Sequence, residues 1–335
     1  MKGHSMRAIL LLTTLLAHSG QAADPAGQGR YLDLKPPGAV PELFAPGIVN
    51  CGVSVRDMTM MPDGTELYFS VFMPGFSRAV IAGCRLDRGK WSEPEVADFS
   101  QDPRWKSHEP CISPDGSKFF FVSDRPEDPL AGKPGTFGIW VMAREGRGWG
   151  APRRLPAAVN GDVNVWYPSV EKNGDLYFLK EEGQGGWVMR AAWKDGVYQP
   201  AAKLPPPFNS SPRQANPRID PEGRFLLLPM VGRPDSLGGA DYYGHFRRSD
   251  GSWTGPVHLG PSVNGPAADE HSISLSPDGK VVFFGSNRLV LRGGSGPIRF
   301  ADLLAERTRP GNGSTSIWWV DAGFLVELRK RSIGE

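Results

Sequence analysis

Ser113-Pro-Asp-Gly-Ser-Lys-Phe-Phe-Phe-Val-Ser-Asp-Arg125 is the stretch whose reading decides the fold. Pro114 and Asp115 suit the opening of a tight turn, and Gly116 suits its positive-φ position. Cys111-Ile112 before the turn and Phe119 to Val122 after it are apolar, so the stretch is a β-hairpin. The phrase returns along the chain. Met58-Thr-Met-Met-Pro-Asp-Gly64 runs into Leu67-Tyr-Phe69, Pro168-Ser-Val-Glu-Lys-Asn-Gly174 into Leu176-Tyr-Phe178, Pro217-Arg-Ile-Asp-Pro-Glu-Gly223 into Phe225-Leu-Leu227, and Ile273-Ser-Leu-Ser-Pro-Asp-Gly279 into Val281-Val-Phe283. The turn glycines are 52, 58, 49 and 56 residues apart.

A third apolar strand follows each hairpin, at Val80 to Leu86, Gly138 to Met142, Trp187 to Trp193, Asp241 to Phe246 and Ile317 to Val320. A fourth follows in most copies and carries an aromatic and then a proline, as in Trp91-Ser-Glu-Pro94, Trp149-Gly-Ala-Pro152, Tyr198-Gln-Pro200 and Trp253-Thr-Gly-Pro256. Four strands per repeat of about fifty residues make one blade of a β-propeller, whose apolar faces are buried only by stacking around an axis. The fifth copy has no fourth strand after Trp319. The phrase that ends the other blades (Pro152 to Asn160, Pro200 to Asn209, Pro256 to Asn264) stands instead at Pro41 to Asn50. The expected fold is therefore all-β: five four-stranded blades, the ring closed by an N-terminal outer strand. Two unrelated β-sandwiches would not share this register.

Composition agrees. The 335 residues are 39% hydrophobic and include ten Trp and seventeen Phe, which excludes a disordered chain despite 42 Gly and 32 Pro. Lys2 and Arg7 precede an apolar run from Ala8 to Ala17, and Gly20-Gln21-Ala22 offers small residues at a cleavage point, so 1–22 is expected to be an export signal. The remaining boundaries are a linker over 23–39, the propeller over 40–322 and a tail over 323–335. No later run of 18 apolar residues argues for membrane insertion. The expected location is periplasmic or secreted, and the expected state a monomer. Without Lys2 and Arg7 the balance is 36 basic against 36 acidic residues. Nucleic-acid binding is not favoured, since the densest basic run, Arg329-Lys330-Arg331, is terminal. Cys51, Cys84 and Cys111 fit no zinc spacing and allow at most one internal bridge, with every pairing open.

Ser113 to Arg125 and Ser276-Pro-Asp-Gly-Lys-Val-Val-Phe-Phe-Gly-Ser-Asn-Arg288 resemble the WD40-like (PD40) repeat of the TolB-type propeller family, also found in the propeller of tricorn protease. Ser316-Ile-Trp-Trp-Val-Asp-Ala322 is similar to the close of many single-domain members. The resemblance covers nearly all of the chain after residue 22. It implies the propeller fold, while the functions it spans range from partner-binding scaffolds to substrate gates.

In a propeller, the loops that enter the innermost strand and leave the second converge at one mouth of the axial channel. Aligned on the turn glycines, the positions eight before are Arg56, His108, Trp166, Ala215 and His271; seven before are Asp57, Glu109, Tyr167, Asn216 and Ser272. Nine after, two blades carry Arg125 and Arg288, and Glu270 adjoins His271. This polar and aromatic rim is the candidate ligand site. His108 and His271 share a register but come from non-adjacent blades without metal-ligand spacing, so no metal or cofactor is expected. Asp57, Glu109 and Glu270 suit acid and base work only as a pair with one raised pKa; the plainer reading pairs them with Arg56, Arg125 and Arg288. No G-x-S-x-G element or complete S-x-D-x-G-x-T-W box is present. The fifth repeat inserts a segment, Ile298 to Arg307, with helical spacing of Phe300, Leu303 and Leu304, either a lid or a decoration. The sequence thus reads as a non-catalytic propeller that binds an envelope protein, a peptide or a cell-wall glycan at its rim. The alternative is a propeller glycosidase or polysaccharide lyase using the rim acids.

Overall fold

The computed structural model describes residues 30–128, 130, 132–183, 185–266, 270–290 and 296–334. The expected leader, 1–22, lies outside them. Five antiparallel sheets follow one another around an axis. Blade 1 contains Ser54–Met60, Glu66–Phe72, Ala79–Asp87 and Glu95–Val96. Blade 2 contains Ser107–Ile112, Lys118–Ser123, Gly138–Glu145 and Arg153–Arg154, and blade 3 contains Val165–Val170, Leu176–Glu182, Gly185–Ala191 and Ala202–Lys203. In blade 4 the inner strand is broken into Arg213–Gln214 and Arg218–Ile219, followed by Phe225–Val231, Ala240–Phe246 and Val257–His258. Blade 5 contains Glu270–Leu275, Val281–Ser286 and Ser316–Asp321, with Glu42–Leu43 as its outer strand. Glu42 pairs with Trp319 and Leu43 with Trp318, so the first strand of the described chain closes the last blade.

The apolar residues gather into five clusters, one between each pair of neighbouring blades. Phe44, Phe69, Phe283 and Trp319 join blade 5 to blade 1; Tyr68, Ile81, Phe119 and Phe121 join blade 1 to blade 2. Val122 and Phe178, Tyr177 and Leu226, and Leu227 and Phe284 share the clusters at the other three junctions. Each fully buried aromatic contributes about 1.5–3 kcal/mol through removal of its apolar surface from water, which makes these junctions the main stabilising element of the ring.

Each hairpin turn is held by its own side chains. Asp115 accepts from the Ser113 hydroxyl at 2.6 Å and from the Ser117 N–H at 3.0 Å, while Gly116 adopts φ +73°. The aromatic–proline phrase is not itself the fourth strand. Lys90–Trp91 and Gly148–Trp149 fold back on the ends of their third strands, and the fourth strand resumes beyond the proline, which has no N–H to donate.

Two segments differ from the sequence reading. The expected tail contains a helix, α2 (Gly323–Ile333), because Leu325, with Phe324, Leu328 and Ile333, packs onto the junction of blades 4 and 5. The insertion in blade 5 forms α1 (Phe300–Thr308), none of whose residues is buried. Among the described residues no helix is long and apolar enough to cross a membrane.

Candidate functional site

The innermost strands share a distortion that builds the site. Asp57, Glu109, Tyr167 and Asn216, equivalent in the repeat, all adopt left-handed backbone at φ +60°, +56°, +50° and +42°. Non-glycine residues resist that conformation, so its fourfold recurrence requires compensation from the neighbours. Neighbouring blades supply it. The Asp57 N–H donates to Ser272 Oγ at 3.0 Å, the Glu109 N–H to Ser70 Oγ at 2.9 Å, and the Tyr167 N–H to Glu109 Oε2 at 2.7 Å. The strand pairing shifts register at the same place, between Arg56 and Thr59, His108 and Cys111, and Trp166 and Ser169.

The kinks open a cavity of about 660 Å³ at one end of the axis. Of the eleven residues expected at the rim, Arg56, His108, Glu109, Trp166, Asn216, Glu270 and His271 line it. Asp57, Tyr167, Arg125 and Arg288 do not. Asp57 is buried below Arg56, whose Nε lies 3.3 Å from Asp57 Oδ2. Tyr167 reaches across the axis to the Ile273 carbonyl at 3.1 Å. Arg125 donates to the Phe99 carbonyl and Ser107 Oγ, and Arg288 to the Val263 carbonyl, each also bonding the serine two residues before it. Arg288 approaches the cavity only through its 3.2 Å pair with Glu270 Oε1.

The lining residues are less exposed than rim positions suggest. His108 is 1% exposed, Glu109 3% and Glu270 2%. His108 sits in an aromatic cluster, 5.6 Å from Trp166 in a stacked arrangement, with Phe72, Phe76 and Phe137 at 5.5 Å each. Neither of its ring nitrogens has a hydrogen-bond partner, and the same holds for Glu270 Oε2 and both Asp57 carboxylate oxygens. Glu109 Oε1 lies 3.7 Å from His108 Nδ1 and 3.8 Å from Arg56.

These surroundings drive the acids apart. Burial raises the pKa of Glu270 to about 8, only partly opposed by Arg288 and Ser286. Burial also acts on Glu109, but His108, Arg56 and the Tyr167 N–H together hold its carboxyl below the ordinary range. Asp57 is pushed up by burial, against Arg56. Acid pairing with arginine, the plainer expectation, holds for Arg56 and Arg288.

The sequence alignment missed Phe76, Leu179, Glu181, Arg213 and Gln214, which also line the cavity. Glu181 accepts from Trp166 Nε1 at 2.8 Å and from the Asn164 amide at 2.9 Å, fixing the indole. The α1 helix contributes nothing to the lining. Among the described residues no group of three metal-ligating side chains converges.

No family model matches the chain, and no curated protein matches it. Several solved structures do. TolB from Acinetobacter baumannii is 14% identical over 81% of this chain, with a TM-score of 0.46, and this chain spans 57% of its length. A protein of unknown function from Dyadobacter fermentans is 12% identical, covering 74% of this chain and 80% of its own, with a TM-score of 0.45. A putative gluconolactonase is 15% identical, covering 86% and 94%, with a TM-score of 0.40. The propeller assignment rests on the strand pairing and the five interblade clusters.

Proposed function

We propose that this is an exported binding propeller whose axial cavity takes a neutral, hydroxyl-rich ligand, of the kind offered by a cell-wall glycan. The observation that carries the reading is the pair of polar atoms on the cavity wall without a hydrogen-bond partner, His108 Nε2 and Glu270 Oε2, beside an aromatic cluster. A buried polar group left without a partner costs about 1–3 kcal/mol. A sugar hydroxyl both donates and accepts, so it suits a ring nitrogen and a carboxyl alike, while the aromatic wall suits a sugar's C–H face. Charge supports a neutral ligand: Arg56 and Arg213 balance Glu109 and Glu181, and Glu270 is largely protonated at neutral pH.

The opposite shifts of Glu109 and Glu270 favour a second reading, in which Glu270 donates a proton and Glu109 acts as the ionised partner in glycan cleavage. One experiment separates them. Calorimetry and a reducing-end assay against a panel of envelope glycans are run on wild type, His108→Phe and Glu109→Gln. Under the binding reading His108→Phe, which keeps the ring packing, loses about tenfold in affinity, and no wild-type turnover is seen. Under the catalytic reading wild type cleaves, and Glu109→Gln loses nearly all turnover. Absence of any glycan binding by wild type would refute both.

A further inference from the structure

A second cavity, of about 450 Å³, lies at the other end of the axis, on the side of the hairpin turns. Its walls include Met60, Ile112, Val170 and Leu275 from four inner strands, and α2 adds Leu325 and Val326. The side chain of Tyr167, which lines neither cavity, crosses the axis between them.

The repeat shows what is unusual here. Five residues before the turn glycines stand Thr59, Cys111, Ser169, Arg218 and Ser274. The small residues have structural work: Thr59 Oγ1 accepts the Ile112 N–H at 3.1 Å, and Ser169 Oγ accepts the Ile219 N–H at 2.9 Å, each tying its blade to the next. Blade 4 alone puts a guanidinium at this position, on the cavity wall. Arg218 Nη1 donates to Cys111 Sγ at 3.4 Å, and a cysteine sulfur is a weak acceptor. The carboxylates nearby are engaged elsewhere. Asp220 pairs with Arg224 at 2.7 Å, Glu222 with Lys172 at 3.1 Å, and Asp278 with Arg30 at 3.3 Å. Among the described residues, no carboxylate lies within ion-pair distance of Arg218.

We propose that this cavity is a second binding site, for a small monocarboxylate with an apolar body, its carboxylate on Arg218 and its body between the inner strands and α2. A guanidinium presents paired N–H donors that fit a carboxylate, and the pairing is strengthened where apolar walls displace water. Lys172, Arg224 and Arg329 also line the cavity, with the carboxylates of Asp220, Glu222 and Asp278, so four cations face three carboxylates and the small surplus suits a monoanion better than a polyanion. Nothing in the site depends on the glycan reading of the opposite cavity.

Octanoate, 1-octanol and octyltrimethylammonium are titrated by calorimetry into the full-length protein and into Arg218→Met, with the melting temperature of each recorded. Saturable one-to-one binding of octanoate is expected, with the alcohol and the cation at least about tenfold weaker. Arg218→Met should lose at least about tenfold in octanoate affinity at an unchanged melting temperature. Equal binding of octanoate and octanol, no saturable octanoate binding, or equal affinity in a folded Arg218→Met would overturn the proposal. If Arg218→Met does not fold, Val326→Trp narrows the same cavity from α2; it should abolish octanoate binding, and wild-type affinity in that variant would refute the site.

Discussion

The Asn50 carboxamide accepts the Ile317 N–H at 2.9 Å and donates to the Ile317 carbonyl at 2.8 Å, although 267 residues of chain separate them. Asn50 thereby completes the fourth strand of blade 5 with a side chain. Asn160 does the same to Ile139, Asn209 to Val188 and Asn264 to Tyr242, which explains why each blade-ending phrase finishes in asparagine. Blade 1 lacks the asparagine and uses Ser100, whose hydroxyl accepts the Ile81 N–H at 2.9 Å.

Asn50→Ala leaves the buried N–H and C=O of Ile317 without these partners, so it should destabilise the protein by about 1–3 kcal/mol. Urea denaturation measures this directly. Deleting 31–50 goes further, since it uncovers Phe283 and Trp319 and leaves Ser316–Asp321 as an open edge; aggregation is the expected result. A deletion variant that stayed monomeric with wild-type stability would show that the ring is not held shut here.

Thiol chemistry gives an independent check on packing. Cys51, Cys84 and Cys111 are free, with Cys51 exposed and the other two buried. Burial pushes Cys84 up to about 12, which suppresses its thiolate further. A thiol reagent should titrate one cysteine rapidly in the native protein and three after unfolding. Two fast thiols in the native state would contradict the burial of Cys84 at the junction of blades 5 and 1 or of Cys111 at the junction of blades 2 and 3.

The Asp115 side chain should be separable from both cavities, although Ser113 and Pro114 of the same turn line the second. Asp115→Ala removes the bonds from the Ser113 and Ser117 hydroxyls and the Ser117 N–H, and should cost about 1 kcal/mol in a chemical melt. Its side chain lines neither cavity, so glycan and octanoate affinities should stay within twofold of wild type. A tenfold loss of either with stability intact would show that the Asp115 carboxylate itself takes part in binding.

The fold was legible because a hairpin is local: Pro-Asp-Gly followed by apolar residues names its own geometry in every copy. The site was legible only as far as the repeat's register reaches. His108, Glu109 and Trp166 were found because the left-handed kink recurs at one position of the inner strand. That alignment did not reveal that Asp57 and Tyr167 turn away from the cavity, since the direction of a kinked side chain depends on its neighbours. Arg125 and Arg288 share a register because they do the same structural work, each binding a backbone carbonyl and a serine. Phe76 lies in a connection between the second and third strands that does not repeat, and no periodicity points to it. Arg218 lies five residues before its turn glycine, a position that the rim alignment did not take in, and only the cavity gives it meaning.

The pH dependence of stability tests whether Glu270 is as secluded as its surroundings indicate. Its Oε1 accepts from Arg288 at 3.2 Å and Ser286 at 3.3 Å, Oε2 has no partner, and burial raises its pKa to about 8 from an ordinary value of 4.5. Between these two pH values the folded protein holds a proton that the unfolded chain has released. The contribution of protonated Glu270 to stability is therefore complete below about pH 4.5 and is lost as the pH rises towards about 8. Glu270→Gln is neutral in both states and contributes no such slope. Asp57, also raised by burial, is present in both proteins, so its titration cancels when the two are compared. The melting temperature of Glu270→Gln relative to wild type should climb steadily between about pH 5 and about pH 8 and level off above, whatever its starting offset. Parallel melting curves across that range would mean that Glu270 is already ionised in the folded protein, and would remove the proton donor on which glycan cleavage depends.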